Sequence, residues 1–373
     1  MTDSSPLSDS SLLTDRVREE IARFDATLPI EAATPPPASW YLDPAFLALE
    51  RSTTFTGHWQ FAGRLDQVVN PGDYFTGSVL QRPYVVTRDG EGALQAFYNV
   101  CAHHGTCVAK GAGSLAHFTC PYHGWEYHLS GRLKRAPLAG AVGEFKAGTV
   151  GLQSIPVASW GPFVLLHFGE EEPDLSQSFA QFDAELDVLS MDSLKFVVRR
   201  VFELDCNWKV FVDNYVDGGY HLPFMHPALT SNMHFDKYST RLGDIYSVQS
   251  CPGKGDTRLG NMGYFVWVHP NFMINRYGAW MDTNLVLPVD EGRCQVVFDY
   301  YHDGEVGEDE LASARRESEQ VQAEDTEIVH MVQRGLQSGV YVGLYAPRFE
   351  TPQYQFHRLL AADFGNGTEP TGP

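Results

Sequence analysis

No stretch of this chain approaches the roughly 20 consecutive apolar residues that a membrane-spanning helix needs, so no span is expected. Cysteine is scarce, 6 in 373 residues, too few for a disulfide-built scaffold of this size. Basic residues are outnumbered, 27 Lys and Arg against 47 Asp and Glu, for a formal net charge of −20. That balance disfavours nucleic acid as a partner and mildly favours small cations. The opening MTDSSPLSDSSLLTDRVREE lacks the apolar core of a secretion signal, and its acidic residues argue against a transit peptide. A cytoplasmic protein is expected, or a stromal one if this is a mature plant or algal form. What is abundant is apolar and aromatic side chain, 43% and 13% of residues, enough for a globular protein of one large domain or two.

Local patterns divide the chain. Residues 1–53 read as a polar tail, a short amphipathic lead-in helix near 13–24 and the proline-rich linker ATPPPASW, with poor order expected in the first ten residues. Residues 54–168 carry short β-type runs such as PYVVTRD, LQAFYNV and GPFVLLHF between Gly, Pro and Asp turns, the pattern of a small all-β domain. Residues 169–365 predict helices near 176–188 and 208–220, strands over 243–302 and a helix over 308–337. This is an α+β arrangement with an antiparallel sheet, followed by a disordered tail at 366–373. No internal repeat is visible.

The scarce cysteines are not spread evenly. Cys101, Cys107 and Cys120 share the stretch CAHHGTCVAKGAGSLAHFTCPYHGWEY with several histidines. Cys101 and His103 form Cys-x-His, and after sixteen residues Cys120 and His123 form Cys-x-x-His. Two such pairs on two loops fit either one tetrahedral zinc or a [2Fe–2S] centre in which two imidazoles replace two thiolates. The His-x₃₋₅-His helix of a zinc finger is missing, and NVCAHHGT and CPYHGWEY resemble the two loops of a Rieske cluster. His104, Cys107, His117 and His128 fall outside the motif and read as ordinary loop or core residues. Imidazole ligation raises the potential above that of plant-type ferredoxins, which suits an electron relay.

A second constellation, CNWKVFVDNYVDGGYHLPFMHP, offers a destination for the electrons. His221 and His226 flank Pro223, which is expected to interrupt a helix so that both rings converge. Two histidines and one carboxylate on one face of an iron leave open positions for oxygen and substrate. The helix EQVQAEDTEIVHMVQRGL supplies the candidate acids, with Val321, Ile328, Val329 and Val332 marking its inner face. Asp325 is favoured over Glu324 and Glu327 because its side chain is short and close to that face.

These residues together resemble the Rieske non-haem iron oxygenases. VASWGPFVLLHF, NWKVFVDNYVDGGYHLPFMH, HPNFMINRYGAWMDTNLVLP, CQVVFDYY and VQRGLQSGVYVGLYAPR further resemble the plant-type choline monooxygenase branch, over about residues 54–361. The resemblance implies a Rieske domain followed by a helix-grip catalytic domain, a [2Fe–2S] cluster on Cys101, His103, Cys120 and His123, and a mononuclear Fe(II) on His221, His226 and Asp325. It also implies a ring-shaped homotrimer in which Asp217 bridges to a cluster histidine of a neighbouring subunit. Asp217 stands four positions before His221, where many relatives place the acid three before, and a helical bulge at Gly218 and Gly219 would restore the geometry. Asn214 takes the place of the family's amide beside the iron.

The implied reaction is ferredoxin-dependent, O₂-consuming hydroxylation of choline to the hydrate of betaine aldehyde. A quaternary ammonium cannot donate a hydrogen bond, so aromatic faces, helped by a carboxylate, should hold it. YFVWVHPNFMINRYGAWMDTN offers Tyr264, Phe265, Trp267, Phe272, Tyr277 and Trp280, of which Trp280 and Phe272 are chosen as wall residues. Lys110, Arg132, Lys134 and Arg135 form a basic group suited to an acidic ferredoxin. Competing readings are an oxygenase for glycine betaine, carnitine or an aromatic ring, a non-catalytic Rieske electron carrier, and a structural zinc protein.

Overall fold

The computed structural model describes residues 12–137, 150–169, 175, 179, 187–255 and 257–366. The expected disorder of the first ten residues, most of the 176–188 helix and nearly all of the C-terminal tail lie outside them. The chain divides into two compact units, residues 55–175 and residues 1–54 with 176–373.

The smaller unit is built from β-sheets, with only short helical turns such as Leu65–Gln67 among its described residues. A four-stranded antiparallel sheet runs Leu94–Tyr98, Arg82–Arg88, Asp73–Val79, Ala112–Ser114. A three-stranded sheet joins Gln60–Arg64, Phe163–Leu166 and Val157–Trp160, and another joins Phe118–Thr119, Glu126–Tyr127 and Leu133–Arg135. Cys101 and Cys120 are buried in one apolar cluster with Phe118, Tyr127, Val108 and Leu133.

The larger unit is organised by a seven-stranded antiparallel sheet. Its order is Lys195–Leu204, Arg293–His302, Trp280–Asp290, Phe272–Tyr277, Met262–Val268, Tyr246–Pro252, Ser239–Leu242. The last six strands in sequence form a meander, and the first strand pairs with the last. Cross-strand pairing places Gln249, Phe265, Asn275, Asp282 and Tyr300 in one row across the sheet, so their side chains share a face. The helix Glu308–Gln337 is amphipathic, with Ala314, Gln322, Val329, Gln333 and Leu336 buried. Val332, assigned above to the inner face, is exposed.

The helix Trp208–Tyr215 is capped by Asn207, whose side chain accepts from Lys209 N. Its first turn is anchored by a buried pair, with Lys209 Nζ donating to Glu50 at 2.5 Å and Trp208 Nε1 donating to the same carboxylate at 2.7 Å. Loss of either partner would strand a buried charge, which costs several kcal/mol, so the helix is held in one position. The lead-in segment is part of this unit rather than an appendage. The Trp40 ring sits edge-on to Phe364 at 4.9 Å, and Tyr41 Oη donates to Asp213 at 2.7 Å.

The Trp208–Tyr215 helix stops short of the expected 208–220 because Gly218 and Gly219 adopt φ of +74° and +77°. No bulge forms there; the chain turns. A Cβ on Gly218 would lie 1.9 Å from the Phe349 carbonyl oxygen, so the close approach demands glycine. Pro223 also acts differently from expectation. It lies in the first turn of the short helix Leu222–Met225 and starts that helix rather than interrupting one.

Candidate active site

The two cysteine loops repeat one local design. Gly105 N donates to Cys101 O and Gly124 N to Cys120 O, each glycine standing four residues after its cysteine with positive φ. Tyr127 Oη lies 3.1 Å from Cys101 Sγ and accepts from Ala102 N at 3.1 Å. Burial, followed by the hydrogen bond to Cys101, raises the Tyr127 pKa. The cysteines are buried while His103 and His123 are exposed, their ring centroids 4.6 Å apart, and Trp125 stacks on His103 at 4.7 Å. Desolvation and the neighbouring His104 and His123 rings hold the His103 pKa down, in the neutral form a metal ligand requires.

Among the described residues no three of these four bring ligand atoms within 4.8 Å of one another. One tetrahedral zinc would draw all four together, whereas a two-iron cluster spreads its thiolate and imidazole ligands over separate metals. The donor set and its spread fit the [2Fe–2S] group. His104 packs 4.1 Å from His103 without entering the Cys-x-His spacing.

In the larger unit His221, His226 and Asp325 do converge, with ligand atoms all within 4.8 Å. His221 caps the start of the Leu222–Met225 helix and His226 its end, where the chain kinks into Pro227–Ser231. The His221 and His226 rings lie 5.2 Å apart, nearly perpendicular. Each is held from behind by a carboxylate. Asp217 Oδ2 is 2.7 Å from His221 Nδ1 and also accepts from His221 N, while Asp217 Oδ1 accepts from Gly219 N. Glu324 Oε2 is 2.6 Å from His226 Nδ1. Asp325 Oδ1 faces His226 Nε2 at 3.0 Å and accepts from Asn214 Nδ2 at 3.0 Å. Burial opposes protonation of His226, but the hydrogen bonds and charges of Asp325 and Glu324 outweigh it and raise its pKa. Two imidazoles with one carboxylate suit non-haem Fe(II).

Glu324, weighed above as an alternative ligand, instead pairs with Nδ1 of His226, away from the side that faces Asp325, and Glu327 is exposed. Replacing Glu324 by alanine is expected to weaken Fe(II) binding about 10- to 100-fold, with glutamine intermediate, as measured by metal titration of the stripped protein.

A cavity of about 320 Å³ opens from these residues towards the sheet, lined by Phe211, Tyr215, Tyr238, Phe265, Tyr277 and Asp282 among others. Trp280 and Phe272, expected as walls, are not part of it. Phe272 pairs with Leu285 and Val268, in a row on the opposite face from Asn275 and Tyr277. Trp280 lies in the Tyr277 row but packs on His302 at 4.8 Å, with the Arg258 guanidinium 6.0 Å over its ring. Phe265 and Tyr277, named in the same segment, do reach the cavity. Arg258 and Asp282 were missed, and only the strand register could have revealed Asp282.

Residues 191–364 match the family described as ring hydroxylating alpha subunit (catalytic domain), and residues 58–146 match the Rieske [2Fe-2S] domain. A chloroplastic choline monooxygenase of Arabidopsis thaliana is 43% identical over 91% of this chain and 85% of its own length. The chain belongs to the choline monooxygenase family of Rieske oxygenases. The Beta vulgaris choline monooxygenase is 37% identical over 92% of this chain and 80% of its own length. Among solved structures, a quaternary ammonium Rieske monooxygenase linked to carnitine oxidation by gut microbiota superposes with TM-score 0.83 at 25% identity. It covers 90% of this chain and 96% of that one. This Rieske oxygenase is accordingly a monooxygenase with a [2Fe–2S] cluster and a mononuclear iron, and the electron-carrier and zinc readings fall away.

Proposed function

We propose that the protein hydroxylates choline at its hydroxyl-bearing carbon, using O₂ and electrons from a ferredoxin. The observation that carries this reading is the cavity running from His221, His226 and Asp325 to aromatic walls at Tyr215, Tyr238 and Phe265 with a carboxylate at Asp282. Such walls suit a cation that cannot hydrogen-bond. Choline, O₂, two electrons and two protons give the gem-diol and water: one C–H bond becomes C–OH. The gem-diol then loses water to betaine aldehyde.

In this reading Cys101, His103, Cys120 and His123 hold the cluster, and His221, His226 and Asp325 hold the iron. When bound, these groups carry single electrons and activate O₂. Asp217 and Glu324 fix the histidine tautomers so that Nε2 faces the metal. Asn214 fixes the Asp325 carboxylate, and the apolar walls keep bulk water from the reacting carbon.

A homotrimer joining the cluster of one subunit to the iron of the next is part of the proposal, with Asp217 as the bridge. Its support is exposed apolar surface: Phe224, two residues before His226, is 78% exposed, and Val340, Val342 and Leu344 are each more than 80% exposed. For the ferredoxin, Lys134 and Arg135 near the cluster both pair with Glu126, which leaves one net positive charge among the three.

A second reading, glycine betaine or carnitine as substrate, has one observation in its favour: Arg258 lines the cavity and a guanidinium suits a carboxylate. A substrate panel separates the two. The expected product is aldehyde from choline; consumption of glycine betaine or carnitine, with release of formaldehyde or trimethylamine and choline untouched, would favour the second.

A further inference from the structure

We propose that Asp282 is the fixed counter-charge for the substrate's quaternary ammonium group, an inference that rests on the choline reading above. Asp282 lies in the sheet row that faces the cavity and is only 4% exposed. Its carboxylate is hydrogen-bonded by neutral donors: the Tyr277 hydroxyl, Asn275 Nδ2 at 2.7 Å and Asn284 Nδ2 at 3.4 Å.

The cation nearest in this network is otherwise engaged. Arg258 donates to Tyr277 Oη at 2.6 Å and to Ala314 O at 2.9 Å, and lies 3.8 Å from Glu317. Its guanidinium stacks over Tyr277 at 4.7 Å and so occupies that ring. Arg258 faces two carboxylates, the buried Asp282 and the more exposed Glu317, so this end of the cavity carries one negative charge in excess of its cation, and Asp282 is the buried member of the pair. Burial holds the Asp282 pKa above the ordinary carboxylate value, against the lowering effect of Tyr277, Asn275 and Arg258.

This environment discriminates between kinds of cation. An ammonium with N–H groups needs free acceptors, and here the carboxylate already receives bonds from the protein. A quaternary ammonium has no N–H to satisfy, so it draws on the charge of Asp282 without competing for those bonds. Aromatic rings line the same cavity: Phe265 is two strands away in the same row, with Tyr238 stacked 6.5 Å from it. Tyr215, next to Asn214 in the chain, donates to Asn275 Oδ1 at 2.7 Å, so one helix end fixes both the Asp325 carboxylate and the support beneath Asp282.

The test compares choline with 3,3-dimethylbutan-1-ol, which has the same shape with carbon in place of the charged nitrogen, in the holoenzyme and its Asp282→Asn variant. In the unaltered enzyme the KM for choline is expected to be lower by roughly tenfold or more. In Asp282→Asn that ratio is expected to fall severalfold, the remainder being held by the aromatic walls. A variant that keeps the ratio, or that weakens both substrates equally, overturns the proposal. So does an unaltered enzyme that shows no preference, a result that needs no variant to fold. If the unaltered enzyme oxidises neither compound, the choline reading itself falls and the proposal goes with it.

Discussion

Asp325→Ala is expected to lose the mononuclear iron while keeping both cluster irons, and to lose turnover by at least about a thousandfold. Asp325 is the only carboxylate grouped with His221 and His226 among the described residues, and Asn214 holds it in place. Without it two imidazoles remain, too few to hold Fe(II) firmly. Iron analysis together with the low-temperature EPR of the reduced cluster measures both halves of the result. The Glu324→Ala variant is the internal comparison, because it keeps all three ligands and should bind iron again at raised concentration. Retention of full iron by Asp325→Ala, with loss in Glu324→Ala, would exchange the roles of the two acids.

Cys120→Ser is expected to abolish the cluster, bleach the visible absorption and stop ferredoxin-driven turnover, leaving the mononuclear site able to bind iron. Cys101 and Cys120 are buried in the same apolar cluster as Tyr127 and Phe118, so a metal group held by them would close a core as well as carry electrons. Loss of a metal that ties two loops together also removes folding free energy, and the Tm of the smaller unit should fall. A variant with unchanged colour and unchanged ferredoxin-driven rate would contradict the ligand assignment.

The parts of the site legible in the sequence were those set by short spacing. Cys-x-His and Cys-x-x-His lie on tight loops, each closed by a glycine, and His221 and His226 are five residues apart, so local geometry delivers them. Asp325 was legible from helix periodicity, yet the same periodicity could not say that Glu324 would reach His226 Nδ1 while Asp325 faced Nε2. That distinction depends on the rotation of the Glu308–Gln337 helix against its neighbours. The cavity walls failed for a related reason. A strand's parity decides which side chains face inward, and Phe272 lies one position out of phase with Met273, Asn275 and Tyr277. Trp280 has the right parity but lies beyond Arg258. The lead-in helix was read from its own pattern, but nothing local announces that Trp40 packs on Phe364 more than three hundred residues later.

The most direct test is a single turnover. The iron-loaded protein is reduced chemically without air, mixed with choline and given one pulse of O₂, while cluster oxidation and betaine aldehyde are followed together. Cluster reoxidation with aldehyde in near-stoichiometric yield per site is the expected result. Reoxidation with choline recovered intact, at full iron occupancy, would contradict the assignment of choline to this cavity.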